Sequence, residues 1–259
     1  MRNIIKTFLL HGFRIIYSYF AWMRKYSKNR DKYDIEVKYQ KLHHLCEKIS
    51  KSLNADITVK GIENIPSETV CYLSNHISMT DPLIYLSVFH KPTTFVCKKE
   101  IKNYPFVAKC IDSIEGEFID RQDLKSSLRT MMKVEKDLRT RKKSWLIFPE
   151  GTRNKDRKSL LLDFHYGTFK APTKAKVPLV PCVIYGSHRL IFYKTKFKRY
   201  PIYVEFGQPL YPSEYENMST QEVAKIIQSR VQTMLSYHAR QEDKEALMKA
   251  LKNKYKESM

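Results

Sequence analysis

The sequence predicts an α/β fold, with a central, mostly parallel sheet flanked by helices and an N-terminal helical pair preceding it. From residue 57 onward, short β-branched or aromatic runs alternate with longer segments of helical periodicity, as in parallel-sheet proteins. The 259 residues, 42% of them hydrophobic, suffice for one principal core. We therefore predict three parts: a helical segment at residues 1–53, an α/β domain at 54–240 and a charged C-terminal tail at 241–259.

The first predicted element is an amphipathic helix at residues 2–23. At the helical period, its polar side chains form a narrow strip and apolar side chains cover the rest. The strip consists of Asn3, Thr7, His11, Arg14 and Ser18, and the apolar face includes Phe8, Phe13, Ile16, Tyr17, Phe20 and Trp22. A basic run follows at residues 24–32. This pattern is typical of a helix that lies in an anionic membrane interface; the alternative is packing on the protein's own core.

A second amphipathic helix is predicted from the register of Ile35, Leu42, Leu45, Ile49 and Leu53. Neither segment is apolar enough to span a bilayer, because the longest uncharged runs are roughly half the ~20 residues required. The first residues also lack the unbroken apolar stretch and the cleavage site of a secretory signal. We therefore expect a membrane-associating helical pair, whose first helix lies in the interface or re-enters the bilayer.

In the α/β region, the spacing of the apolar residues distinguishes predicted strands from predicted helices. Strands are predicted at Ile57–Val59, Val70–Leu73, Thr94–Cys97, Glu117–Ile119, Trp145–Phe148, Leu179–Tyr185 and Ile202–Phe206. Helices are predicted at Pro82–Phe89, Tyr104–Ile111, Leu124–Arg139, Gly167–Lys174 and Gln221–His238, with Leu124, Leu128, Met131 and Leu138 as a buried stripe. In such sheets, ligands bind outside the carboxyl ends of the strands.

Charge and cysteine content restrict the partners. A formal net charge of +20 indicates an anionic partner: nucleic acid, an anionic membrane face or a phosphorylated substrate. The five cysteines are odd in number and include no Cys-x-x-Cys pair, so we expect reduced thiols and no metal site.

One candidate site follows the second predicted strand, at Asn75-His76-Ile77-Ser78-Met79-Thr80-Asp81. His76 would act as a base, and Asp81 would fix its tautomer. The spacing alone is weak evidence, because His238 and Asp243 share it in a polar C-terminal stretch that no strand precedes. On a regular helix, residues five apart would point about 140° from each other. The alternatives are a helix-capping Asp81 and a structural His76.

A second candidate site follows the fifth predicted strand, at Glu150-Gly151-Thr152-Arg153. It offers a tight turn, a hydroxyl and a guanidinium suited to bidentate phosphate contact. The alternative is an ordinary surface turn. Two further blocks end or begin strands, at residues 116–121 and 177–182.

In this order and spacing, the four blocks from Asn75 to Pro181 resemble the glycerophospholipid acyltransferases, most closely the 1-acylglycerol-3-phosphate acyltransferases of the PlsC type. The resemblance implies a membrane-associated enzyme at the cytosolic face, transferring an acyl chain from acyl-CoA or acyl carrier protein to lysophosphatidate. It implies that His76 and Asp81 are catalytic and that the substrate-binding residues are Lys98, Arg121, Glu150, Gly151, Thr152 and Arg153. Lys99 is an alternative to Lys98. Relatives often carry a basic residue before Gly167, where this chain has Tyr166.

We expect no cofactor, because a deprotonated alcohol can attack the thioester directly. Several alternatives stay open. The acceptor could instead be glycerol 3-phosphate or another lysophospholipid, and a non-catalytic lipid-binding relative is disfavoured by the intact His76 and Asp81. The basic run Arg189 to Arg199 suggests a second membrane contact, or an edge strand protected by lysines. A nucleic-acid-binding protein is the alternative from another class, but no recognised binding motif accompanies the charge.

Overall fold

The computed structural model describes residues 12–30, 32–120, 122–155, 159–192 and 199–257. They form a 7-stranded sheet in the order β1-β7-β6-β2-β5-β3-β4. The strands are β1 (Ala55–Lys60), β2 (Cys71–Ser74), β3 (Thr93–Lys98), β4 (Glu117–Ile119), β5 (Ser144–Ile147), β6 (Leu179–Tyr185) and β7 (Tyr200–Phe206). Only the β6–β7 pairing is antiparallel. The predicted mostly parallel sheet and its strand positions are confirmed.

Strand β2 lies at the centre of the sheet. Leu73 pairs with Ile147 of β5 on one side and with Pro181 of β6 on the other. Every residue of β2 is buried, which explains its continuous apolar run in place of an alternating pattern. Because β2 to β6 run in one direction, the residues that follow β2, β5 and β6 emerge together at one edge of the sheet.

The helices cover both faces of the sheet. They are α1 (Arg24–Lys28), α2 (Ile35–Ser52), α3 (Asp81–Val88), α4 (Pro105–Ser113), α5 (Leu124–Arg139), α6 (Lys170–Lys174), α7 (Arg189–Phe192), α8 (Pro212–Tyr215) and α9 (Thr220–Glu257). Tyr72 belongs to the core packed against α2, α3 and α4, and its neighbour Cys71 to the core packed against α5, α6 and α9. Successive residues of β2 thus serve opposite cores.

Two helices differ from the prediction. Leu128 is 56% exposed, whereas Val134 and Leu138 are fully buried. The expected stripe on α5 is therefore wrong at Leu128, because the buried position on that turn belongs to Thr130, about 200° around the helix. Helix α9 continues to Glu257, past the predicted end at His238, because residues 239–257 contain no glycine or proline to stop it.

The described part of the N-terminal segment is a helix, interrupted by a π-helical turn at Tyr19–Met23. Trp22, Met23 and Tyr26 are buried, and Met23 lies 3.7 Å from the sulfur of Cys110 on α4. The opposite face is exposed, with Phe13 at 83% and Phe20 at 62%. One face therefore packs on the core, and the other is exposed. Three residues of the predicted polar strip, Asn3, Thr7 and His11, lie outside the described residues. Arg14 is exposed as expected, but Ser18 is buried, so the prediction is wrong at Ser18.

No helix in the described residues combines the length and the hydropathy needed to cross a membrane.

Candidate active site

Asn75 fixes the end of β2. Its side chain is fully buried and pairs twice with the main chain of β6: Nδ2 donates to the Ile184 carbonyl at 2.9 Å, and Oδ1 accepts from the Ile184 N–H at 2.8 Å. The amide thus continues the strand ladder by one residue after β2 has ended. The His76 peptide therefore follows a residue that is fixed to β6.

The loop after Asn75 brings His76 and Asp81 together. His76 Nδ1 lies 2.7 Å from Asp81 Oδ2. The same oxygen accepts the backbone N–H groups of Ile77 and Ser78, each at 2.8 Å. Asp81 is buried, while the His76 side chain keeps 19% of its surface exposed. The ring is therefore held through Nδ1, and Nε2 is the nitrogen left to act as a base.

The geometry bears on one of the two simpler alternatives for this pair, helix capping by Asp81. Asp81 is the first residue of α3 and its carboxylate turns back to the loop, so in the described structure it does not cap that helix. His76 is only half-buried and stacks on Phe148, with ring centroids 4.2 Å apart. Phe148 directly follows β5, so the residue that packs on the histidine comes from the strand leading to the second candidate site.

Glu150 binds the backbone on both sides of the site. Its Oε1 accepts the His76 N–H at 2.5 Å, and its Oε2 accepts the Leu162 N–H at 3.0 Å. Burial raises the pKa of Glu150 to about 7, the two backbone hydrogen bonds oppose the shift, and the charge of Asp81 adds to it. Both carboxylate oxygens of this predicted substrate-binding residue are engaged by the protein's own main chain.

The remaining residues of the turn are placed at the rim of the site. Gly151 adopts φ of 65°, a left-handed conformation in which glycine is unstrained. Asn154 closes the turn by donating its N–H to the His76 carbonyl at 2.8 Å. Thr152 is exposed and Arg153 is half-exposed. Thr152 and Arg153 thus lie towards the surface, whereas Glu150 and Asn154, at the two ends of the turn, are buried and bonded to the His76 peptide.

Two of the predicted basic residues, Lys98 and Arg153, belong to the same edge of the sheet. Lys98 ends β3 and is exposed, whereas Lys99 forms an ion pair with Asp120 at 2.6 Å. Lys98 lies two strands from β2 in the sheet, on the order of 10 Å away by the usual strand spacing. Arg121 lies outside the described residues.

The second His-x4-Asp pair forms no comparable site. His238 is buried on α9, where its Nε2 contacts Glu205 at 2.7 Å and its ring stacks on Tyr203. Its partner carboxylate is therefore on β7 and not at Asp243. Arg189, the first residue of the predicted basic run, pairs with Glu242, and residues 193–198 lie outside the described residues.

Two contributors to the site were not found from the sequence. Asn75 belongs to the first candidate site, but the sequence does not predict its hydrogen bonds to β6. Ser187, which donates its hydroxyl to Asp81 Oδ1 at 2.5 Å, carries no motif that sets it apart from other serines. Within the described residues, no group of three or more histidine, cysteine, aspartate or glutamate side chains is arranged to hold a metal ion.

Comparisons with known proteins cover most of the chain. The Acyltransferase family model matches residues 56–185. The probable 1-acyl-sn-glycerol-3-phosphate acyltransferase of Mycoplasma pneumoniae is 27% identical over 228 residues, covering 83% of this chain and 84% of that protein. The 1-acyl-sn-glycerol-3-phosphate acyltransferase of Saccharomyces cerevisiae is 28% identical over 139 residues, 54% of this chain. In that case the match spans less than half, 46%, of the relative's length.

A solved structure has the same fold. The crystal structure of the 1-acyl-sn-glycerophosphate acyltransferase PlsC from Thermotoga maritima superposes with a TM-score of 0.73, over 92% of this chain and 96% of that one. The sequences are 23% identical, so this likeness shows the fold alone.

Proposed function

The chain belongs to the Acyltransferase family, and from this premise we propose that it transfers a fatty acyl chain from an acyl thioester to the sn-2 hydroxyl of lysophosphatidate, giving phosphatidate. Its similarity to enzymes named for this reaction supports the choice of acceptor. The observation that carries the proposal is the 2.7 Å contact between His76 Nδ1 and Asp81 Oδ2, at the sheet edge where such sheets bind ligands.

In the proposed mechanism His76 is the general base. Its Nε2 takes the proton of the acceptor hydroxyl as that oxygen attacks the thioester carbonyl carbon. Asp81 accepts a hydrogen bond from Nδ1–H, and its negative charge stabilises the imidazolium that forms. The carbon–sulfur bond then breaks, and the thiolate recovers the proton from His76 to leave as a thiol. A base positioned in this way contributes about 10²–10⁴-fold to the rate.

Basic residues at the same edge would bind the acceptor's phosphate. Arg153 follows the Gly151 turn next to His76, and Lys98 ends β3 with an exposed ammonium group. A guanidinium offers a paired set of donors to a phosphomonoester, and an ammonium adds charge without fixing orientation. We propose Arg121 as a further phosphate ligand from its position in the sequence. Glu150, whose oxygens hold two backbone N–H groups, would contribute by positioning His76.

A membrane location would give this site access to a lipid acceptor. The exposed face of the N-terminal helix carries Phe13, Ile16, Tyr17 and Phe20, and the basic residues Arg24, Lys25 and Lys28 follow on the same helix. Aromatic side chains beside a polybasic segment favour an anionic bilayer interface. We propose that the protein binds the cytosolic membrane face peripherally or monotopically, through this helix.

The test is a panel of donors and acceptors with the purified full-length protein in detergent micelles. Acyl-CoA and acyl carrier protein thioesters would each be offered with lysophosphatidate, glycerol 3-phosphate or a choline lysophospholipid, and products identified by mass. We expect phosphatidate from lysophosphatidate, and its absence would refute the proposal. Acylation of another acceptor alone would keep the reaction and change the substrate. Salt-resistant nucleic-acid binding without acyl transfer would favour the alternative class.

A further inference from the structure

The carboxylate of Asp81 is held at both oxygens. Oδ2 accepts from His76 and two backbone N–H groups, and Oδ1 accepts from the Ser187 hydroxyl at 2.5 Å. Ser187 is fully buried and lies 106 residues further along the chain. Its side chain, in the turn that follows β6, thus adds a third group to the His76–Asp81 pair.

The turn after β6 sets the position of this hydroxyl. Gly186 has φ of 89°, and a Cβ at that position would lie 2.4 Å from the Pro201 carbonyl oxygen, so only glycine fits. The Ser187 carbonyl accepts from the Thr80 hydroxyl at 3.3 Å and from the Leu190 N–H at 3.2 Å. Ser187 is therefore fixed by its own turn and by the loop that carries Asp81.

The residues on either side of Ser187 are also anchored. Tyr185 donates its hydroxyl to Glu242 of α9 at 2.5 Å, and Arg189 forms an ion pair with the same carboxylate. At the preceding end of the segment, Asn75 pairs with the main chain of Ile184. The segment thus has attachments to α9, to the end of β2 and to the catalytic loop, so the Ser187 hydroxyl has little freedom to move from Asp81.

We infer that Ser187 is a positioning residue for acyl transfer, which orients Asp81 so that Oδ2 stays directed at His76. Without the hydroxyl, Oδ1 would lose the hydrogen bond that sets the plane of the carboxylate. Rotation of that plane would weaken the contact with Nδ1 and misdirect Nε2 from the acceptor hydroxyl. The inference rests on the proposed function, since it assigns His76 the role of base.

The test compares substitutions that separate the hydroxyl's hydrogen bond from its volume. Ser187→Ala removes the hydroxyl, and Ser187→Cys keeps a group of similar size that donates only weakly. We expect kcat to fall about tenfold to hundredfold in both, because a hydrogen bond to a charged group contributes that much. The KM for lysophosphatidate should stay within about twofold, since Ser187 is fully buried and its hydroxyl is directed at Asp81. Ser187→Thr, which keeps the donor, should recover most of kcat.

A matched control removes another buried hydroxyl. Ser113 is also fully buried, and it donates to the Cys110 carbonyl at 2.7 Å at the end of α4. Ser113→Ala should keep the wild-type kcat. The unfolding temperature of every variant is measured with bound detergent held constant, so that loss of fold is recognised.

Two results would overturn the positioning role and leave the proposed function standing. One is a wild-type kcat in Ser187→Ala, and the other is a kcat in Ser187→Cys as high as the kcat recovered in Ser187→Thr. A drop in kcat matched by Ser113→Ala would show general destabilisation and would also overturn it. Absence of acyl transfer by the wild-type protein would instead remove the proposed function on which the inference rests.

Discussion

Glu150 and His76 are joined through the main chain: the His76 N–H donates to Glu150 Oε1 at 2.5 Å. The His76 carbonyl accepts the Asn154 N–H from the same turn, at 2.8 Å. Both polar groups of the histidine peptide are therefore bonded to the turn that carries Arg153. The proposed base and the proposed phosphate-binding turn thus form one unit, so a change in the turn reaches the chemistry through the backbone.

Replacing His76 should stop turnover without unfolding the protein. His76→Gln keeps a polar side chain of similar size but cannot take up a proton, so kcat should fall by about 10²–10⁴-fold. The unfolding temperature should change little, because the side chain is partly exposed. His238→Gln removes the histidine of the other His-x4-Asp pair and should keep the wild-type kcat. Wild-type kcat in His76→Gln would rule out the base assignment.

Glu150 and Arg153 should affect different kinetic constants. Glu150→Gln places an amide N–H₂ where a carboxylate oxygen accepted a backbone N–H, so we expect kcat to fall about tenfold or more with little change in KM. Arg153→Ala should raise the KM for lysophosphatidate, because it removes a cation and leaves the base in place. Steady-state kinetics with lysophosphatidate varied at saturating donor measure both. A rise in KM alone for Glu150→Gln would show that Glu150 contacts substrate.

The positions of the strands along the chain and the edge that carries the site could be predicted from sequence, whereas the order of the strands in the sheet and the side-chain partners could not. Leu73 lies in an unbroken apolar run, which identifies a central strand, and the first candidate site begins two residues later, at Asn75. The hydrogen bonds of Glu150 depend on the path of the loop that contains Leu162. Ser187 approaches Asp81 because Gly186 turns the chain inward, and a left-handed glycine cannot be told from sequence alone.

The exposed face of the N-terminal helix should determine membrane binding. Phe13→Ser with Phe20→Ser removes two aromatic side chains that are 83% and 62% exposed. Because burying such a side chain contributes about 1.5–3 kcal/mol, binding to anionic vesicles should weaken by a factor of ten or more. Sedimentation with phosphatidylglycerol vesicles measures this.

A matched pair of substitutions tests whether the position of the apolar residues matters. Leu128 and Met132 on α5 are 56% and 64% exposed, and replacing both by serine removes comparable apolar surface elsewhere. These variants should bind vesicles as the wild-type protein does. Equal loss of binding in both pairs would contradict a specific role for the N-terminal helix. Binding should also weaken with salt, since the residues that follow the exposed face are basic.

A buried ion cluster should fix the helical pair to the α/β domain. Glu115 is buried and pairs with Lys38 of α2, with Lys143 at 3.0 Å and with Lys142 at 2.7 Å. Lys38 and Lys143 are fully buried, whereas Lys142 is 36% exposed. Glu115→Gln removes the carboxylate partner of the buried Lys38, whereas Lys143 keeps Asp137 at 2.7 Å, and we expect a loss of about 3–5 kcal/mol in the free energy of unfolding. Lys142→Met removes only the exposed partner and should cost at most about 1 kcal/mol.

The pH dependence of this loss follows from the titration of Glu115. Burial alone would raise its pKa, but hydrogen bonds from Lys142 and Lys38 and the charge of Lys143 outweigh burial and lower the pKa to about 2, from an ordinary 4.5. The ionised form is thus favoured by folding, so its contribution is complete above pH 4.5 and is lost as the pH falls towards 2. The difference in unfolding free energy between wild type and Glu115→Gln should shrink over that window. A difference that stays constant down to pH 2 would mean that the carboxylate's charge does not stabilise the fold. The attachment of α2 to the α/β domain would then depend on apolar packing.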